Sequence, residues 1–205
     1  MNSKYKTADI ELTLGISGHL WVNESHELLD AIDQVFEKIQ RVYAYDCLKV
    51  LSPLAEGADR IVARRALSLP DTMLVAILPF PMKEYLEDFS SAESVQEFRE
   101  LLHRADYVVE LAGRKDREEA YIALGRKLLD QSDILIAIWD GNPANGRGGT
   151  AEIVQAARGR GMPLAWITPG MLEERIRDLI SSDEAQANVI FECFPSHKSR
   201  SESEN

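Results

Sequence analysis

Asp133-Ile-Leu-Ile-Ala-Ile-Trp139-Asp140-Gly141, followed by Asn-Pro-Ala-Asn-Gly146-Arg147-Gly148-Gly149-Thr150-Ala-Glu152, is the stretch that decides the fold. An apolar run closes on Asp-Gly, a loop of small residues follows, and Gly-Gly-Thr opens a helical pattern. A strand feeding a helix through such a loop presents free backbone N–H groups and the positive end of a helix dipole, which suits a phosphate or carboxylate. Glycine lets the backbone approach a ligand with no side chain intervening. The run therefore predicts a central strand and an anion site at its carboxyl end.

Working outward, strand and helix patterns alternate along the chain. Residues 10–16 alternate as a strand and end at Ser17-Gly18-His19, and a helix is expected over 24–43 with Leu28, Ile32, Val35, Phe36 and Ile39 at helical spacing. Strands are expected at 47–51, 73–78, 107–111, 134–138 and 164–168, with a last short one at 189–191. Helices are expected after Gly57, over an irregular 82–105, and over 116–130, 150–160 and 171–180. The pattern predicts an α/β fold: a Rossmann-like, mostly parallel sheet of six to seven strands with helices on both faces. One domain is expected over 1–195, with 196–205 a disordered polar tail. Ligands in such sheets bind at strand carboxyl ends, where the strand order reverses.

Bulk properties exclude several classes. The chain has 205 residues and a formal net charge of −11, which opposes sequence-independent nucleic-acid binding and makes DNA a poor partner. The start, Met-Asn-Ser-Lys-Tyr-Lys, lacks the apolar segment of a signal peptide, and no apolar run approaches the ~20 residues that cross a bilayer. A cytoplasmic protein without membrane attachment is expected. Cys47 and Cys193 have no metal-site spacing and are expected as buried thiols; no metal and no required cofactor are predicted. The basic clusters Arg60/Arg64/Arg65 and Arg114/Lys115/Arg117 are expected as solvated helix faces.

Four turns are expected on one rim of the sheet. At the first, Gly15, Ser17 and Gly18 are candidates for the floor of a site, and His19 for a ligand contact or a general acid/base; a cap or an exposed residue is the alternative. At the second, Ser52, Glu56, Gly57 and Asp59 are candidates, a carboxylate there suiting ribose hydroxyls or simply complementing a helix dipole. The third is Pro79-Phe80-Pro81. The fourth supplies Asp140, Gly141, Arg147, Gly148, Gly149, Thr150 and Glu152. Arg117 and Tyr121, one helical turn apart, either face the same ligand or are a solvated Arg and a core-edge Tyr. The loop has neither the Gly-Lys-Ser/Thr of a phosphate-binding loop nor a Gly-x-Gly-x-x-Gly after the first strand, so kinase-like and ordinary hydride chemistry are poor fits.

Ser52-Pro-Leu-Ala-Glu56-Gly57-Ala58-Asp59 and Asp133 through Glu152 together resemble the SLOG superfamily. That group joins the "lonely guy" phosphoribohydrolases with DNA-processing protein A. The first segment is similar to the latter's Ser-Gly-x-Ala-x-Gly-Ile-Asp turn, the second to the former's Pro-Gly-Gly-x-Gly-Thr-x-x-Glu. The resemblance covers roughly residues 10–168 and implies a Rossmann-like domain holding a nucleotide or nucleotide-derived ligand related to NAD or ADP-ribose. Some members cleave the N-glycosidic bond of nucleoside monophosphates; others act as sensors in bacterial immune signalling, alongside an effector.

Two departures bear on hydrolysis. The enzymes carry their catalytic Glu three residues after the Thr, where this chain has Ile153; Glu152 lies one step earlier, a rotation of about 100° on a helix. Their Arg-Lys pair on the preceding helix is missing from Ala120-Tyr121-Ile122-Ala123-Leu124-Gly125. The expectation is therefore a binding or sensing domain, a homo-oligomer with an effector protein as partner. An N-glycosidase using Glu152 with His19 is the alternative, and a protein-interaction module with a vestigial pocket is the third.

Overall fold

The computed structural model describes residues 10–111, 116–143, 147–169, 185–186 and 189–195. The expected helix at 171–180, the tail at 196–205, Arg114, Lys115 and Gly146 lie outside them.

Strands β1 (Glu11–Gly18), β2 (Cys47–Ser52), β3 (Thr72–Leu78), β4 (Tyr107–Glu110), β5 (Ile134–Ile138) and β6 (Leu164–Ile167) are mutually parallel. The sheet continues through the two-residue β7 (Ala185–Gln186) and β8 (Val189–Glu192), β8 lying antiparallel to β6. The order is β4-β3-β2-β1-β5-β6-β8-β7, so the described sheet has eight strands, one short strand beyond expectation. Every residue of β5 is buried, because β1 and β6 flank it and helices cover both faces; that is why its sequence does not alternate.

Helix α1 (His26–Val42) starts where Ser25 caps the Leu28 N–H, two residues later than the apolar pattern alone implied. It packs on one face with α2 (Ala58–Ala66) and α4 (Ala92–Arg104), while α5 (Arg117–Gln131) and α6 (Thr150–Gly159) cover the other. The irregular segment before α4 resolves into a short α3 (Met82–Tyr85) and a 3₁₀ turn at Leu86–Asp88. Gly161, with φ of 64°, lies just beyond the end of α6, the left-handed position that favours glycine.

Strand order reverses between β1 and β5. The chain winds outward from β1 to β4, returns through α5 to the other side of β1, and winds outward again. Pairing of Ser17 with Ala137 and Gly18 with Ile138 brings the two carboxyl ends level. The carboxyl ends of β1 and β5 at this reversal are the position where such sheets form a crevice for ligands.

Two expectations about polar residues fail. Arg60 belongs to no solvated face: its side chain is 1% exposed, donating to Leu54 O at 3.0 Å, to Ser94 and to Glu97, and lying 4.6 Å from the Phe89 ring centroid. Arg64 pairs with Glu97 and Glu24, and Arg65 with Asp33, so the cluster is neutralised. Cys47 is half-buried and Cys193 exposed, not two buried thiols. No helix among the described residues is long and apolar enough to cross a membrane.

Candidate functional site

The crevice is bridged at two points. The Ser17 hydroxyl donates to Thr150 Oγ1 at 3.3 Å, joining the end of β1 to the first turn of α6. Above it, the His19 N–H donates to Ile138 O at 3.1 Å, the Asp140 N–H to His19 Nε2 at 3.1 Å, and His19 Nε2 lies 3.0 Å from Asp140 Oδ1. A neutral Nε2 accepts the amide; a protonated one pairs with the carboxylate. Burial pushes the Asp140 carboxyl up, but hydrogen bonds from Asn142 and His19 outweigh it and hold the group below its ordinary value. Asn142 donates to both Asp140 oxygens, while Trp139 Nε1 donates to Asn142 O at 2.9 Å, and Gly141 takes φ of 84°. The loop leaving β5 is thus fastened before it reaches α6.

At the N-terminus of α6, Gly149 is the cap residue and supplies no side chain. The Gly148 N–H donates to Glu152 Oε2 at 2.8 Å, and no partner for the Gly149, Thr150 or Ala151 N–H groups is found among the described residues. Gly148, with φ of 80°, is pressed on α5: a Cβ there would lie 2.9 Å from Tyr121 Cβ. Around Gly149 there is open space. One glycine is thus demanded by packing and its neighbour by nothing in the fold. Ile153 packs on Gly125 of α5, so the position three residues after Thr150 is an apolar contact between helices.

The structure divides the expected site residues. Ser17, Gly18, His19, Asp140, Gly141 and Thr150 gather where β1 and β5 end, Gly149 caps α6, and Gly148 and Glu152 line a cleft between α5 and α6 with Tyr121 and Gly125. A cleft of about 620 Å³ opens beside the strand ends, lined by His19, Trp21, Asn23, Asp140 and Thr168; Trp21, 82% exposed, went unrecognised in the sequence, where an isolated Trp gives no sign of its exposure. Glu56, Arg117 and Tyr121 line a separate cleft of about 330 Å³ with Leu20, Tyr85, Asp88 and Phe89.

Four candidates are displaced. Gly15 lies mid-strand under α5, where a Cβ would meet Leu128 and Ser132. Ser52 is fully buried and ties its own turn, accepting from the Leu54 N–H at 3.1 Å. Asp59 is 4% exposed; burial pushes its carboxyl up to about 8 despite hydrogen bonds from the Ala55 and Gly18 N–H groups and the nearby Arg60. Arg147 is 67% exposed and its guanidinium lies 4.0 Å from Glu118. Gly57 is structural: φ of 77° and a Cβ that would collide with Leu20 O and His19 O leave only glycine.

Electrostatics inside the smaller cleft are closed on themselves. Arg117 pairs with Asp88 and, at 3.6 Å, with Glu84, and lies 4.5 Å from the Phe80 ring centroid; the Tyr121 hydroxyl donates to Asp88. Glu56 accepts from Ser90 N, Ser90 Oγ and Ser94 Oγ; those bonds and Arg60 outweigh burial and hold its carboxyl below the ordinary value. Among the described residues no group of three or more His, Cys, Asp or Glu is placed to hold a metal ion.

No family model and no curated protein matches the chain. Among solved structures the chain is similar to the X-ray structure of TM1055, a structural-genomics target. Identity is 15%, covering 75% of this chain and 72% of that one, with a TM-score of 0.44.

Proposed function

We propose that this protein binds a nucleotide or nucleotide-derived ligand, of the NAD or ADP-ribose type, across the crevice between β1 and β5, as a binding or sensing domain. One observation carries the reading. At the point where strand order reverses, three N–H groups of Gly149, Thr150 and Ala151 have no partner among the described residues, beside a glycine in open space. Amides at a helix N-terminus hold a phosphate through hydrogen bonds and the helix dipole together. The sequence resemblance to the SLOG superfamily supports the same ligand class.

Hydrolysis of an N-glycosidic bond is the weaker reading. Glu152, its only acidic candidate on α6, is engaged by the Gly148 N–H, and the position of the enzymes' glutamate is an apolar contact with α5. A sensor also requires an effector partner, and self-association fits the exposed β4 edge, where Tyr107 and Val108 are 62% and 45% exposed.

A thermal-shift screen with mononucleotides, NAD, ADP-ribose and cyclic ADP-ribose isomers tests the reading. A specific binder at a hundred times its Kd adds about 2.7 kcal/mol. A melting temperature unmoved by all of them overturns it.

A further inference from the structure

The outer face of α5 carries a pattern that nothing within the described chain uses. Ala120, Leu124 and Leu128 turn inward and are buried. Glu119, Ile122, Ala123 and Arg126, at i, i+3, i+4 and i+7, therefore share one outer stripe. Glu119 and Arg126 are exposed, while Ile122 and Ala123 are half-buried. Neither Glu119 nor Arg126 has an ion-pair or hydrogen-bond partner among the described residues. Two turns of helix, about 10 Å, keep them too far apart to pair with each other.

This stripe forms one wall of a groove of about 540 Å³, with Glu110 and Leu111 at the end of β4 on the opposite wall. The groove arises because β4 is the sheet edge and α5 covers its neighbour instead. Val75 and Ile77 of β3 are buried with Leu124 and Leu128. Their register partners on β4, Tyr107 and Val109, lie on the same side of the sheet and are 62% and 36% exposed. Apolar residues on an uncovered edge strand mark a surface for a partner.

Charge identifies the partner. Arg126, Lys127 and Arg147 line the groove against Glu110, Glu119 and Asp130, so this surface is balanced in a chain whose net charge is −11. Copies that repel one another as whole molecules meet here without local repulsion. Turned antiparallel about a two-fold axis, one α5 sets its Ile122 opposite Ala123 of the mate. Glu119 then falls opposite Arg126 of the mate, and the symmetry repeats the pair at the other end. A partner carrying one sign of charge would leave either Glu119 or Arg126 unmatched.

We infer that the groove between α5 and β4 docks a second copy of this chain, with the two α5 helices antiparallel about a two-fold axis between Ile122 and Ala123. The interface stands apart from the nucleotide reading, because neither Glu119 nor Arg126 belongs to the β1–β5 crevice.

Sedimentation velocity of the full chain tests this with wild type, Glu119→Arg, Arg126→Glu and the double exchange Glu119→Arg/Arg126→Glu. Both positions are exposed, and far-UV circular dichroism matching wild type verifies that each variant is folded. Wild type is expected to be a dimer at micromolar concentration. Each single exchange sets like charges opposite one another at both ends of the contact and is expected to raise the dissociation constant by about tenfold or more. The double exchange restores both pairs, and mixing the two single variants restores them in a heterodimer, so both are expected to recover the dimer. A monomeric wild type overturns the interface, as does an assembly indifferent to both single exchanges. Loss in the single variants without recovery in the double exchange or the mixture overturns the antiparallel arrangement.

Discussion

The Gly148 N–H donates to the carboxylate of Glu152 at 2.8 Å, so the N-terminus of α6 already holds an anion of its own. Glu152 is the third residue of the helix, where a carboxylate complements the dipole and satisfies a backbone donor. An incoming phosphate meets this charge as a competitor.

Glu152→Gln is therefore expected to tighten binding of an anionic ligand by about 1 kcal/mol while lowering stability by about 0.5 kcal/mol. Calorimetry on the two proteins reads the first change and thermal melting the second. In the hydrolytic reading the same substitution abolishes release of free base, so an assay for base release separates the two.

Gly149→Ser separates a glycine required by a ligand from one required by the fold. Gly149 has ordinary backbone angles, with φ of −84°, and open surroundings, and serine is a better helix cap by a few tenths of a kcal/mol. The variant is expected to melt at or slightly above wild type and to lose nucleotide affinity, since the new side chain occupies the approach to the amides. Gly57→Ala is its counterpart: at φ of 77° and against Leu20 O, it is expected to lose about 1–3 kcal/mol. Chemical denaturation of both proteins checks the contrast.

Asp59 makes stability depend on pH. Burial raises its carboxyl from 3.8 to about 8 in the folded protein. The folded state therefore keeps a proton that the unfolded chain releases above pH ~4. Stability from this group is full at low pH and falls as pH rises through about 8, by up to about 1.4 kcal/mol per unit. Asp59→Asn removes that dependence, so its melting temperature relative to wild type should climb between pH 5 and pH 9. A difference that stays flat over this range would show that the carboxyl ionises normally.

Arg60→Met should destabilise by about 1–3 kcal/mol, because it leaves the buried Leu54 carbonyl without its donor, while the half-exposed Glu97 keeps Arg64 and solvent. Leu54 O, Ser94 and Glu97 all accept from that one guanidinium, which joins the turn after β2 to α4. Urea unfolding reads the loss; a change below 1 kcal/mol would mean that the contacts are replaced by solvent.

The parts of the fold legible in the sequence were those written as periodicity. The unbroken Ile134–Ile138 run gave the central strand, and the glycines at 148 and 149 gave the start of α6. Residues whose role depends on contacts across the chain were not legible. Asp59 and Ser52 look like rim residues beside Gly57, but the collision-limited approach of α2 to β1 at Gly18 and Gly57 draws them inside. Tyr85 gave no signal, because one aromatic in an irregular helix cannot reveal that its hydroxyl lacks a partner among the described residues. Arg117 and Tyr121 did meet across one helical turn, through Asp88, a partner supplied by a 3₁₀ turn that periodicity had blurred into a longer helix.

The most direct test of the central claim is calorimetric titration of wild type and Gly149→Ser with ADP-ribose, NAD and AMP. Saturable one-to-one binding of at least one of them by wild type is expected, with its loss in Gly149→Ser at a melting temperature equal to or slightly above that of wild type. Absence of binding by wild type, or binding that Gly149→Ser retains in full, would contradict it.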